Sequence, residues 1–213
     1  MSNRFFITLL VIIAVFVGGF AYTKQSKGPN DVAVAVAPTN HVKGSDKTGV
    51  VLTEYGDFQC PACGQYYPLV KQLFAKYQDR IIFQFRNFPL TQIHQNAFVA
   101  HRAGEAADKQ GKFWEMHDLL YENQKTWQDS NNASAYFVTY AKQLGLDIAK
   151  FQQDMASQET NNKINADIKE GQALKATSTP TFVIDGKKLE TNPRSLDEFY
   201  KLIDEAIAKK TTS

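Results

Sequence analysis

The chain opens on an uncharged run and then settles into short apolar strands separated by amphipathic stretches. From Phe5 to Tyr22 no side chain is charged, and Thr8 is the only clearly polar one before the end. As a helix these 18 residues span roughly 27 Å, slightly short of a ~30 Å hydrocarbon core but sufficient. Two readings stand: an uncleaved signal-anchor, favoured by the length of the run, and a cleaved signal peptide, for which Gly19-Phe20-Ala21 supplies small residues. Arg4 before the run and Lys24 and Lys27 after it barely orient it. Either reading exports the rest of the chain and places it outside the cytoplasm, in a periplasm or on the outer face of the membrane. Residues 23–47, with Gly28, Pro29, Pro38 and Gly44, read as a flexible linker. The alternation from Asp31 to Ala37 has only small side chains, a weak edge-strand signal at most. The folded domain is expected over 48–213.

Within that domain Val50–Tyr55 reads as a buried strand. Tyr66, Leu69, Val70, Leu73, Phe74 and Tyr77 then recur with helical period, and Arg80–Arg86 is a second strand. Strand, helix, strand in so short a span is a βαβ unit with parallel strands. From about residue 92 to 175 the pattern is helical throughout: 97–109, 113–123, 133–144, 147–158 and 161–175, with Gly111 and Gly145 as stops. Thr181–Ile184 resumes the sheet, Asp185-Gly186 signals a hairpin into Lys188-Leu189, and Ser195 with Glu198 makes a capping box for a helix to about Ala208. The expected fold is therefore α/β, with an all-helical subdomain inserted at about 92–175.

Composition narrows the class. A chain of 213 residues with 43% hydrophobic and 12% aromatic content holds one medium domain plus an appendage. A formal charge of +2, without a cluster of basic and aromatic residues, gives no case for nucleic acid. There are two cysteines in all, Cys60 and Cys63, in the run Cys60-Pro61-Ala62-Cys63. A pair so close closes too small a loop to restrain the unfolded chain much, so its purpose is chemical.

The position of that pair defines the chemistry. With Cys60 as the cap of the helix, Pro61 falls where its missing N–H costs nothing. The unpaired amides of the first turn and the helix dipole then favour the Cys60 thiolate, the reactive form. Cys60 is the expected attacking sulfur and Cys63 the sulfur that closes the disulfide. Glu54 has two readings: a strand-end carboxylate reaching water, or a buried acid of raised pKa that ferries the Cys63 proton. Thr179-Pro180 at the entry to the third strand is either a trans proline marking a strand start or a cis proline facing the dithiol. The cis arrangement would offer the Thr179 backbone to a peptide substrate. Structural zinc wants four ligands, and His41, His94, His101 and His117 do not pair at the needed spacing. They are expected as surface or helix-packing residues, and neither metal nor cofactor is expected.

Glu54-Tyr55-Gly56-Asp57-Phe58-Gln59-Cys60-Pro61-Ala62-Cys63, Arg86-Asn87-Phe88-Pro89-Leu90 and Thr179-Pro180-Thr181-Phe182 together closely resemble the DsbA-like thiol–disulfide oxidoreductases, nearest to membrane-tethered bacterial members. The resemblance runs from roughly His41 to Ala208. It implies a thioredoxin fold with a helical insertion, an attacking Cys60, a resolving Cys63, a cis Pro180, Thr179 at the substrate groove and Glu54 as the buried acid. It further implies reduced exported proteins as substrates and a quinone-linked membrane partner that reoxidises the pair. One departure stands out: the strong oxidants of the family carry histidine where this chain has Ala62, and that histidine helps hold the thiolate. Isomerases of the wider family carry a dimerisation domain, for which the expected linker is too short, so disulfide oxidase is the expected direction. A reductase or isomerase on the same fold is the nearest alternative. A tethered chaperone or binding module with inert cysteines is the alternative from another class.

Overall fold

Valine, leucine, threonine and tyrosine in one short run fit a pleated, buried strand, and the central strand forms there. In the computed structural model, which describes residues 36–212, β1 is His41–Gly44, β2 is Val51–Gly56 and α1 is Pro61–Tyr77. β3 is Ile82–Asn87 and lies parallel to β2, with Val51 opposite Ile82 and Tyr55 opposite Arg86. The expected βαβ unit is present. The segment at 5–22 lies outside the described residues, and among the described residues no helix is long and apolar enough to cross a membrane.

Six helices follow: α2 (Ala97–Asp108), α3 (Phe113–Glu122), α4 (Gln124–Trp127), α5 (Ala133–Gln143), α6 (Ile148–Ala156) and α7 (Gln158–Ala173). Gly111 and Gly145 take φ of 72° and 71° just beyond α2 and α5, the left-handed conformation that ends a helix. Two boundaries differ from expectation. The short α4 is an extra turn, and Ser157 caps α7 by accepting the Thr160 N–H, so that helix starts three residues before the expected Asn161. β4 (Thr181–Ile184) and β5 (Lys187–Lys188) form the hairpin across Asp185-Gly186, and α8 is Leu196–Thr211. Ser195 accepts the Glu198 N–H, while Glu198 reaches back to the Arg194 N–H at 2.7 Å, one residue beyond the usual partner.

The sheet order is β1-β3-β2-β4-β5, with β1 and β4 antiparallel to their central neighbours. β1 corrects the expected linker. Within the expected flexible linker at 23–47, His41 pairs with Phe85 and Lys43 with Phe83, and the compact unit begins at Val36. Four residues carrying a histidine and a lysine hold no apolar alternation to read. Their inward anchor is the His41 ring, stacked at 3.5 Å on Phe113.

Two large cores pack against the sheet. One packs Phe58, Phe85, Phe113, Met116, Trp127, Phe137 and Phe151 between the sheet and the inserted helices, and contains both cysteines. The other packs Leu52, Leu73, Tyr77, Phe83, Phe182, Phe199 and Ile203 among the sheet, α1 and α8.

Candidate active site

The chain leaves β2, turns through Gly56–Gln59 and enters α1 with Cys60 as the N-cap, at φ −65° and ψ 122°. Pro61 occupies the first helical position, as its missing N–H permits. Gly64 N–H donates to the Cys60 carbonyl at 3.1 Å, so the first turn is closed around the sulfur. Both cysteines are free thiols and both are buried, but unequally: Cys60 retains 7% exposure and Cys63 none.

Hydrogen bonding and burial together separate their acidities. The hydrogen bond from Cys63 does most to lower the Cys60 pKa, burial opposes it, and the contact with Thr179 and the amides of Cys63 and Ala62 lower it further, to about 5. The Cys63 thiol is pushed well above its usual range, chiefly by burial and then by its bond to Cys60 and the nearby Glu54. One sulfur is a poised thiolate; the other holds its proton.

The remaining expected residues converge on the pair. The Thr179–Pro180 bond is cis, and the Thr179 carbonyl lies 3.4 Å from Cys60 Sγ, where it accepts from the thiol only when Cys60 is protonated. Glu54 is 3% exposed, so the reading of a strand-end carboxylate in water is overturned. Burial raises its pKa to about 8, with Lys43 opposing and Cys60 adding to the rise. Among the described residues no group of three or more histidine, cysteine or acidic side chains is placed to hold a metal.

A supporting network went unread in the sequence. Asp57, fully buried, accepts from Gln59 N–H at 2.8 Å, from Leu90 N–H at 2.9 Å and from His94 Nδ1 at 2.7 Å. The Asp57 N–H in turn points to Cys63 Sγ at 3.5 Å. His101 bridges Asn87 Oδ1, at 2.6 Å from Nδ1, and the Phe58 N–H, at 3.4 Å from Nε2. Burial lowers its pKa to about 4 against the pull of Asp57, so Nδ1 donates and neutral Nε2 accepts. Asn87 continues to Glu105, and Glu105 to His41 at 2.6 Å. Burial opposes a charge on His41, but Asp108 and Glu105 more than offset it and raise its pKa to about 9. The histidines expected at the surface or in helix packing thus serve largely as buried links between β1, β3 and the active-site turn. The available signal was Asp57 and Asn87, polar residues inside apolar motifs.

The inserted helices reach the same turn. Gln124 Nε2 in α4 donates to the carbonyls of Phe58 at 2.8 Å and Cys60 at 2.9 Å. A Cβ on Gly64 would meet the Gln124 amide, so glycine after Cys63 leaves the room in which this bridge closes.

Comparison with known proteins adds three findings. The protein-family model for Thioredoxin matches residues 36–205. The chain is 36% identical over 164 residues to the Na(+)/H(+) antiporter NhaA 3 of Salinispora tropica and 37% identical to NhaA 1 of Salinispora arenicola. Those matches cover 76% of this chain and 24% of each antiporter, so the chain spans about a quarter of the length of these relatives. Among solved structures, alpha-DsbA1 of Wolbachia pipientis superposes with a TM-score of 0.71 at 20% identity, over 84% of this chain and 96% of that one. BdbD of Bacillus subtilis superposes with a TM-score of 0.68 at 22% identity, over 82% and 98%.

Proposed function

The chain belongs to the thioredoxin family and carries the fold of the DsbA-like thiol–disulfide oxidoreductases, and from that premise we propose that its Cys60–Cys63 pair introduces disulfide bonds into exported proteins. The observation that carries this direction is the low pKa of Cys60 beside a buried Cys63. A thiolate stabilised in the dithiol form makes the disulfide form the better oxidant, and a sulfur of low pKa leaves readily.

The geometry supports a two-step cycle. A substrate thiolate attacks Cys60 Sγ of the disulfide, the Cys60–Cys63 bond breaks, and the Cys63 sulfur takes a proton from Glu54. A second substrate thiolate attacks the substrate sulfur of the mixed disulfide, and Cys60 leaves as its stabilised thiolate. Thr179 presents its backbone beside the reacting sulfur and borders the substrate strand. A quinone-linked membrane partner then reoxidises the pair. The segment at 5–22, as signal-anchor or signal peptide, places this chemistry outside the cytoplasm. Retained as an anchor, the same segment would tether the domain at the outer face of the cell membrane.

The test is trapping. Cys63→Ser should accumulate mixed disulfides with a reduced two-cysteine peptide, seen as mass shifts that vanish on reduction. Cys60→Ser should form none, and full turnover by Cys60→Ser would overturn the assignment.

A further inference from the structure

Glu54 lines a small cavity together with Lys43 of β1, Tyr67 and Lys71 of α1, and His117, Asp118 and Tyr121 of α3. It offers about 10 Å³ to the centre of a water molecule, which is room for roughly one. Two buried polar atoms of its wall, His117 Nε2 and Tyr121 Oη, find no partner among the described residues. A cavity of one water's size with orphaned polar atoms on its wall is a built water site.

His117 is oriented for more than packing. Its Nδ1 lies 2.9 Å from Asp118 Oδ1, and the Asp118 side chain, 34% exposed, reaches solvent. Burial lowers the His117 pKa, with Asp118 opposing and Lys43 and His41 adding to the fall. The ring is therefore neutral, Nδ1 donates to Asp118, and Nε2 carries a lone pair. An imidazole held by a carboxylate on one nitrogen, with the other nitrogen free, is an arrangement for passing protons.

We propose that His117 and Asp118, joined to Glu54 by one water in this cavity, form the route by which the buried acid exchanges its proton with solvent. The relay rests on the reading of Glu54 as the proton partner of Cys63. It is needed because Glu54, with a pKa near 8, is protonated at neutral pH and has to release that proton before it can accept one from Cys63. The Glu54 proton passes to the water, the water gives a proton to His117 Nε2, and the Nδ1 proton leaves through Asp118 to bulk. The Glu54 carboxylate then takes the Cys63 proton. The Cys63 thiolate attacks Cys60 Sγ, the new S–S bond forms, and the thiolate that had been joined to Cys60 departs and is protonated by solvent. His117 acts through Glu54 and is a positioning residue.

The experiment measures closure of the Cys60–glutathione mixed disulfide to the internal disulfide, from pH 5 to 9, by single-turnover release of glutathione. The proteins are wild type, Glu54→Gln, His117→Gln and Asp118→Asn. In wild type the rate should rise with pH through the Glu54 ionisation. Both relay variants should close about tenfold more slowly at pH 7, with that rise flattened, while the alkylation midpoint of Cys60 stays put. Asp118→Asn alters a partly exposed side chain and keeps the test open should His117→Gln misfold. If Glu54→Gln is slow but Asp118→Asn closes at the wild-type rate, the relay is wrong and the role of Glu54 survives. Closure at the wild-type rate in Glu54→Gln would remove the reading beneath the relay and the relay with it. Slow relay variants whose Cys60 midpoint has also moved would indicate a rearranged site and overturn the relay as well.

Discussion

Cys60 and Cys63 have two residues between them and are chemically unlike, because one accepts hydrogen bonds from Cys63 and the amides of the first helical turn and the other is sealed in the core. Alkylation of Cys60 in the reduced protein should therefore follow a single ionisation near pH 5, measured by iodoacetamide uptake against pH. A midpoint near 8 or 9 would remove the thiolate. Glu54 carries the opposite signature. Its folded pKa of about 8 lies above the unfolded value of 4.5, so its contribution to stability is intact below pH 4.5 and is lost as pH rises through 8. Glu54→Gln escapes that loss. Chemical denaturation should show it no more stable than wild type at pH 4, and more stable by a few kcal/mol at pH 8. The roles of both cysteines were legible in the sequence because the Cys-Pro-Ala-Cys spacing at a helix start dictates them. Glu54 was ambiguous, since a carboxylate near a strand end has two environments open to it and only packing chooses.

Among the elements, α1 sets the thiolate and α4 braces the turn that presents it. The bridge from Gln124 to the carbonyls of Phe58 and Cys60 exists because Gly64 leaves room for it. Gly64→Ala drives a methyl into Gln124 Oε1 and forces that amide away, leaving buried carbonyls unpaired. The expected cost is about 1–3 kcal/mol, read as a fall in the urea midpoint, with a shift in the Cys60 alkylation midpoint alongside. No change in either would show the bridge to be incidental. Strands and long helices were legible because their apolar period persists over several residues. The short elements were not: β1 and α4 have four residues each, and side-chain hydrogen bonds and ring stacking hold them in place rather than an apolar face.

For the molecule as a whole, buried polar groups tie the early chain to the active-site end of the sheet. Asp167 of α7 accepts from the Thr39 N–H and hydroxyl, both at 2.7 Å, and from the Asn87 N–H and side chain, both at 2.8 Å. Removing this carboxylate strands several buried donors, so Asp167→Ala should lose about 3 kcal/mol or more in chemical denaturation. An unchanged midpoint would deny the clamp. No sequence period announces such a contact, which joins residues 128 apart along the chain. The central claim concerns direction, a disulfide donor built on a stabilised thiolate. The measurement that tests it is the equilibrium reduction potential of the Cys60–Cys63 pair against glutathione. The account predicts a value toward the oxidising end, nearer ~−120 mV than ~−270 mV. A value close to ~−270 mV, that of thioredoxin, would make the protein a reductase and contradict the account.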